Sequence, residues 1–192
     1  MRTVPAARIF YNIRMKPPER FETDRLVLRP PTLADAESIY QTYAGDPEVT
    51  RYLTWRPHTS IAQTLEFLTG CLEGWQGGRR FPYAFTIKGS DSVIGMIELR
   101  LEGFKADVGY GMGRAYWGKG YMTEVLCALN KWAMAQPSIY RVWAICDVDN
   151  IASARVMEKA GMQREGILRR EIVHPSISSE PRDCYLYAIE KG

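Results

Sequence analysis

The sequence predicts an α+β domain: one central, mixed and mostly antiparallel sheet of about seven strands, with four helices around it. Three observations carry this. Strand-like alternation recurs in short runs parted by turn residues, two helical periods precede most of those runs, and the succession of strand, helix and strand over 106–146 contains no hairpin turn. With 192 residues, 46% of them hydrophobic, the chain can bury one sizeable core and has little surplus for a second. The domain is placed at 21–192. Residues 1–20 are set apart as an N-terminal extension, because Arg2, Arg8, Arg14 and Lys16 alternate with short apolar patches up to Pro17-Pro18, without the continuous apolar run of a secretory signal.

Arg25 to Arg29 alternates and stops at Pro30-Pro31, which cannot donate to a ladder, so the first strand lies there. Thr32 with Asp35 makes a capping box, and Ala36, Ile39, Tyr40 and Tyr43 then recur at helical spacing. A second box, Ser60 to Gln63, opens a helix whose apolar face is Ile61, Leu65, Leu68, Leu72 and Trp75, ended by Gly77-Gly78. The runs 81–88, 93–101 and 106–112 are joined by short polar turns, which imply an antiparallel meander. Met122, Val125, Leu126, Leu129 and Trp132 mark the third helix. The run 140–146 is the next strand, parallel to the one before that helix through a right-handed crossover. Asn150 is a good N-cap for the last helix and Gly161 a good stop, and strands at 162–173 and 184–189 close the chain.

A net charge of +3 from 25 basic and 22 acidic residues leaves no basic stripe, and the densest pairs are Arg79-Arg80 and Arg169-Arg170, so no nucleic-acid partner is expected. Cys71, Cys127, Cys146 and Cys184 form no C-x-x-C pair and read as buried thiols of a reducing, cytoplasmic compartment. His58 and His174 have no second imidazole or cysteine at ligand spacing, so no metal site is expected and both read as surface-loop residues. No apolar run approaches the ~20 residues that span a bilayer, so a soluble protein without a membrane partner is expected.

The stretch from Gly111 to Glu124, GMGRAYWGKGYMTE, joins a strand to the start of an amphipathic helix. There the first-turn N–H groups lack partners and the helix dipole is positive, so a diphosphate satisfies both. Gly118 and Gly120 admit close approach, and Thr123 adds a hydroxyl. The same glycines also suit a tight turn with no ligand, and spacing alone does not separate the two. The pattern is neither a P-loop nor G-x-G-x-x-G after a first strand.

This segment resembles the coenzyme A loop of the GNAT N-acetyltransferase superfamily, with Trp117 at the first motif position, Gly120 at the glycine and Met122 where a small residue is usual. The wording W-G-K-G-Y-x-T-E is similar to the Rim-type branch, which contains ribosomal-protein N-terminal acetyltransferases. Further family-like segments are ETDRLVLR from Glu22, Asp46-Pro47-Glu48-Val49, Val93-Ile94-Gly95, Val108-Gly109-Tyr110, Asn150-Ile151-Ala152-Ser153 and Lys159-Ala160-Gly161-Met162.

The resemblance implies a GNAT fold splayed at the cofactor site and acetyl transfer from acetyl-coenzyme A (acetyl-CoA) to a primary amine. Trp117, Gly118, Lys119, Gly120, Tyr121, Met122 and Thr123 would form the cofactor loop, Gly111 and Met112 would pair with the pantetheine arm, and Asn150 and Ser153 would flank it. The tyrosine that many members carry seven residues after the asparagine is Met157 here, so Ser153 is the candidate donor of a proton to the thiolate. Asp107 is the candidate base, with Glu98 and Glu171 as alternatives, and Asp183 is expected to be structural. The acceptor is expected to be a protein N-terminal amine. Alternatives are a small amine (polyamine, amino acid or antibiotic), a non-catalytic acyl-CoA sensor, and a nucleotide-binding module, the last disfavoured by the absent P-loop lysine. A homodimer through the sheet or the C-terminal strands is expected by the same resemblance.

Overall fold

Short turns and helix caps set the order of the elements in the computed structural model, which describes residues 15–192. The part of the N-terminal extension before Met15 lies outside the described residues. From Met15 onward the chain touches the domain: Met15 packs against the core, and the Tyr83 hydroxyl donates to the Pro18 carbonyl at 2.7 Å.

The described residues form one sheet of eight strands in the order β1-β2-β3-β4-β5-β6-β8-β7. These are β1 (Phe21–Glu22), β2 (Leu26–Arg29), β3 (Arg80–Ile87), β4 (Val93–Glu102), β5 (Lys105–Met112), β6 (Arg141–Asp147), β7 (Gln163–Ile172) and β8 (Arg182–Glu190). The strand beyond the expected seven is the two-residue β1, too short to show alternation. All neighbours are antiparallel except β5 and β6, the parallel pair the crossover requires. The last strand, β8, inserts between β6 and β7, leaving β7 at the edge.

The helices are α1 (Ala36–Ile39), α2 (Pro47–Thr50), α3 (Ile61–Gly77), α4 (Tyr121–Ala135) and α5 (Ile151–Lys159). Both halves of the Thr32/Asp35 box are present, and Arg29 grips the Asp35 carboxylate at 2.7 and 2.8 Å, tying the helix start to the end of β2. After α1 the backbone continues as a π-turn over Tyr40–Ala44. The extra helix is α2, a single turn opened by Asp46 and Pro47 and too brief to show a period. Helix α3 begins at Ser60, whose hydroxyl accepts from Gln63 N–H, and ends at Gly78 with φ +70°. Its packed face differs from the expected one: Thr64, Leu68 and Cys71 are buried, whereas Ile61 and Leu65 are exposed.

Helices cover both faces of the sheet. The larger core holds Leu28, Phe81, Ile97 and Val142 under Val125, Leu126 and Leu129 of α4, and a smaller one packs Ile39, Tyr43 and Leu68 on Ala84 and Met96. Each fully buried aliphatic among them contributes roughly 1.5–3 kcal/mol of transfer free energy.

Two expectations about single residues need correction. Cys71, Cys146 and Cys184 are buried thiols, but Cys127 is exposed on α4. His174 is 3% exposed rather than on a surface loop, because Asp147 and the Leu53 carbonyl both face its ring. Among the described residues no helix is long and apolar enough to cross a membrane.

Candidate active site

Helix α4 starts without a cap. Gly120, at φ +80°, offers no side chain, and the N–H groups of Tyr121, Met122 and Thr123 find no partner among the described residues. Ser60 and Asn150 do that work at α3 and α5. Gly118 also has a left-handed backbone, at φ +74°, with open space where a Cβ would stand. The loop therefore presents N–H groups and a helix dipole to a cleared surface.

Arg25 adds a charge that sequence reading assigned only to a strand. Its guanidinium donates to the Lys119 carbonyl at 2.9 Å and to Glu124 at 2.7 Å, and lies 4.5 Å from the Tyr121 ring centre. Trp117 is nearly half exposed, but its indole N–H donates to the Met112 carbonyl at 2.6 Å, so it braces the loop against the end of β5. Met122 is buried in the larger core, filling the place of the usual small residue.

The second feature is a gap in the sheet. β5 and β6 pair only at Lys105–Arg141, Ala106–Val142 and Asp107–Trp143, although β5 runs on to Met112 and β6 to Asp147. From Val108 onward β5 keeps β4 on one side and has no strand on the other. A cavity of about 440 Å³ occupies this gap, lined by Gly109, Tyr110, Gly111, Cys146, Asn150 and Ser153 among others. Asn150 Oδ1 accepts from Ser153 N–H at 3.2 Å, which leaves its amide N–H₂ without a partner among the described residues. Orphan N–H groups at α4 fit a diphosphate, and the free edge of β5 fits a pantetheine arm. The residues present therefore suit coenzyme A.

Tyr110 is a site residue that sequence reading missed. Its Oη lies 2.8 Å from Ser153 Oγ and 3.3 Å from the Ser153 carbonyl oxygen. Alternation along β5 already sets Tyr110 on the face opposite Gly109 and Gly111; that α5 meets it there is not written in either segment.

On the acceptor side a row of charges crosses the strands. Arg80 donates to Glu98 at 2.7 Å, Arg100 to Glu98 at 2.9 Å, and Arg100 Nε to Asp107 at 2.6 Å. Asp107 thus faces the cavity already paired with Arg100, and Glu98 joins the same row. Glu171 is exposed and lines a separate cleft with Trp143 and Leu168. Tyr52, Trp55 and Phe67 wall the groove above the row, which continues past Arg56 and His58.

Beside this wall, His174 has Nδ1 3.3 Å from the Leu53 carbonyl oxygen and Nε2 3.6 Å from Asp147 Oδ2. Burial pushes the Asp147 carboxyl up, but Arg182, which donates at 2.5 Å, and the Asp149 N–H more than offset it, so the group stays below the usual carboxylate range. Asp183 accepts from the Arg170 N–H at 2.9 Å, where Arg170 takes φ +50° at a bulge in β7.

The family model described as "Acetyltransferase (GNAT) domain" matches residues 25–163. The N-acetyltransferase p20 of Bacillus licheniformis is 30% identical over 176 residues, covering 90% of this chain and 97% of p20. The crystal structure of a GNAT-family acetyltransferase from Bacillus anthracis superposes with a TM-score of 0.76 at 26% identity, covering 89% of this chain and 98% of the other. RimL, a ribosomal L7/L12 alpha-N-protein acetyltransferase solved in complex with coenzyme A, shares the fold with a TM-score of 0.79 at 22% identity, covering 90% and 98%.

Proposed function

Because this chain belongs to the GNAT acetyltransferase family and is an acetyl-CoA-dependent N-acetyltransferase, we propose that it acetylates a protein N-terminal α-amine by direct transfer with both substrates bound. One observation carries the choice of acceptor. The cavity in the sheet gap continues, past Phe67, Cys71 and Arg80, into a second groove lined by Arg56, His58 and Glu66. That groove has room for peptide residues beyond the reacting nitrogen. The resemblance of the loop to the Rim-type branch and the fold shared with RimL support the same reading.

Acetyl-CoA, the donor substrate, supplies the acetyl thioester. In our reading the N–H groups of Gly118 to Thr123 hold its diphosphate, with Lys119 and Arg25 adding positive charge. Gly111, Met112 and the Asn150 amide orient the arm, and a main-chain N–H of β5 polarises the carbonyl oxygen. Holding amine and thioester in attack geometry supplies most of the acceleration. Ser153 protonates the departing sulfur, and Asp107, or Glu98 beside it, receives the one proton of the amine through water. Residues 21–192 are taken as the catalytic domain, and a homodimer through the edge strand β7 belongs to this proposal.

The test is a peptide carrying one free α-amine and one internal lysine, beside its N-terminally blocked twin. Fragment-ion mass spectrometry should place the acetyl group on the α-nitrogen of the first and leave the second unmodified. Acetylation of lysine in both would overturn the reading.

A further inference from the structure

The site has no tyrosine on α5 to protonate the departing sulfur. Position 157 is methionine, fully enclosed in the larger core. A phenol nevertheless reaches the gap from the opposite element. We propose that Tyr110 of β5 is the proton source for the departing thiolate and acts through the hydroxyl of Ser153. This rests on the acetyl-transfer reading above.

Three observations converge on it. Tyr110 and Ser153 both line the cavity in the gap, and both are partly exposed rather than sealed in the core. Their hydroxyl oxygens are 2.8 Å apart. The Ser153 N–H is taken by Asn150, so the start of α5 is fixed and Ser153 Oγ is held facing the phenol. A tyrosine hydroxyl has one proton to give. When it goes to Ser153 Oγ, the serine proton is free to point onward to sulfur.

Burial pushes the Tyr110 phenol up, and the bond to Ser153 pulls it back only in part. It therefore stays protonated near neutral pH. So weak an acid can give up its proton only if one returns in the same turnover. As the acceptor nitrogen bonds to the carbonyl carbon, the C–S bond breaks and its electron pair stays on sulfur. Ser153 Oγ–H passes its proton to sulfur and takes one from Tyr110 Oη. The phenolate recovers a proton, through water, from the carboxylate of Asp107 or Glu98 that took it from the newly acylated nitrogen. The amine thus loses one proton, the thiol gains one, and both hydroxyls end as they began.

Tyr110→Phe removes one oxygen and keeps the ring that packs against the core. The expected result is a fall in kcat of about 10²-fold or more, the size typical of a lost proton donor, with the KM for acetyl-CoA unchanged. A second readout needs no turnover: the ionisation of the thiol of bound coenzyme A, followed by its ultraviolet absorbance against pH. A donor chain favours the thiolate, so the titration should move to higher pH in Tyr110→Phe, further in Ser153→Ala, which removes the whole chain, and in the double variant no further than in Ser153→Ala. A wild-type titration curve in Tyr110→Phe would overturn the proposal, even beside a shifted curve in Ser153→Ala, because the serine would then act alone. If wild-type protein acetylates no amine but the curves shift as stated, the donor chain stands and the acetyl-transfer reading fails. If Tyr110→Phe loses coenzyme A binding, 3-fluorotyrosine at position 110 replaces it: its more acidic phenol should move the bound-thiol titration to lower pH, and an unmoved curve would overturn the proposal.

Discussion

Tyr110 Oη and Ser153 Oγ form a 2.8 Å hydrogen bond between groups 43 residues apart, because β5 and the first turn of α5 meet where β5 leaves β6. The pair should behave as one unit in steady-state kinetics. A double-mutant cycle of Tyr110→Phe and Ser153→Ala is expected to show a coupling of about 1–3 kcal/mol in kcat. Additive effects would mean that the two hydroxyls act separately.

The uncapped start of α4 makes the coenzyme site sensitive to its glycines. Gly120→Ala forces an L-residue to φ +80°, at a cost of about 1–2 kcal/mol. Calorimetric melting should fall by roughly 2–4 °C per kcal/mol, with weaker coenzyme A binding in the same sample. Arg25→Leu removes a charge without a backbone change, so its expected effect is on binding: a two- to fivefold rise in the dissociation constant, as for a partly screened charge, and a weaker dependence on salt.

Asp147 is the most deeply buried carboxylate near the site, at 1% exposure, and Arg182 is its main partner. Breaking such a pair by Arg182→Leu should cost about 3–5 kcal/mol in urea unfolding at neutral pH. The sign with pH follows from the lowered Asp147 group. Its stabilisation is complete above the unfolded-state value near ~3.9 and is lost as pH falls through the lower folded-state value. Asp147→Asn should therefore flatten the acid limb of the stability curve below about pH 4.

His174 faces the carbonyl of Leu53, next to Tyr52 on the acceptor wall. His174→Leu frees that carbonyl and should loosen the wall. Initial-rate kinetics should then show a higher KM for the acceptor and an unchanged KM for acetyl-CoA.

Much of this was legible wherever the signal is local. The Thr32/Asp35 box, the caps at Ser60 and Asn150 and the meander follow from residues within a few positions of one another, and the parallel β5–β6 pair from the unbroken order of strand, helix and strand. The insertion of β8 between β6 and β7 was not legible, because alternation at 162–173 and 184–189 reveals two strands but not which of them meets β6. The single turn of α2 and the two-residue β1 are shorter than one period of any pattern. In the site, the glycines of the loop and the cap at Asn150 could be read from spacing. Arg25 on Lys119, His174 beside Asp147 and Tyr110 on Ser153 could not, since each depends on elements brought together only by the sheet.

The most direct test of the central claim is free-thiol release from acetyl-CoA against a panel of N-terminal peptides, polyamines, amino acids and aminoglycosides. Wild-type protein is run beside Gly120→Trp, whose fold is checked by circular dichroism. The account predicts release that depends on a peptide with a free α-amine and disappears in Gly120→Trp. Release with polyamines or aminoglycosides alone, or bound coenzyme with no release on any amine, would contradict it.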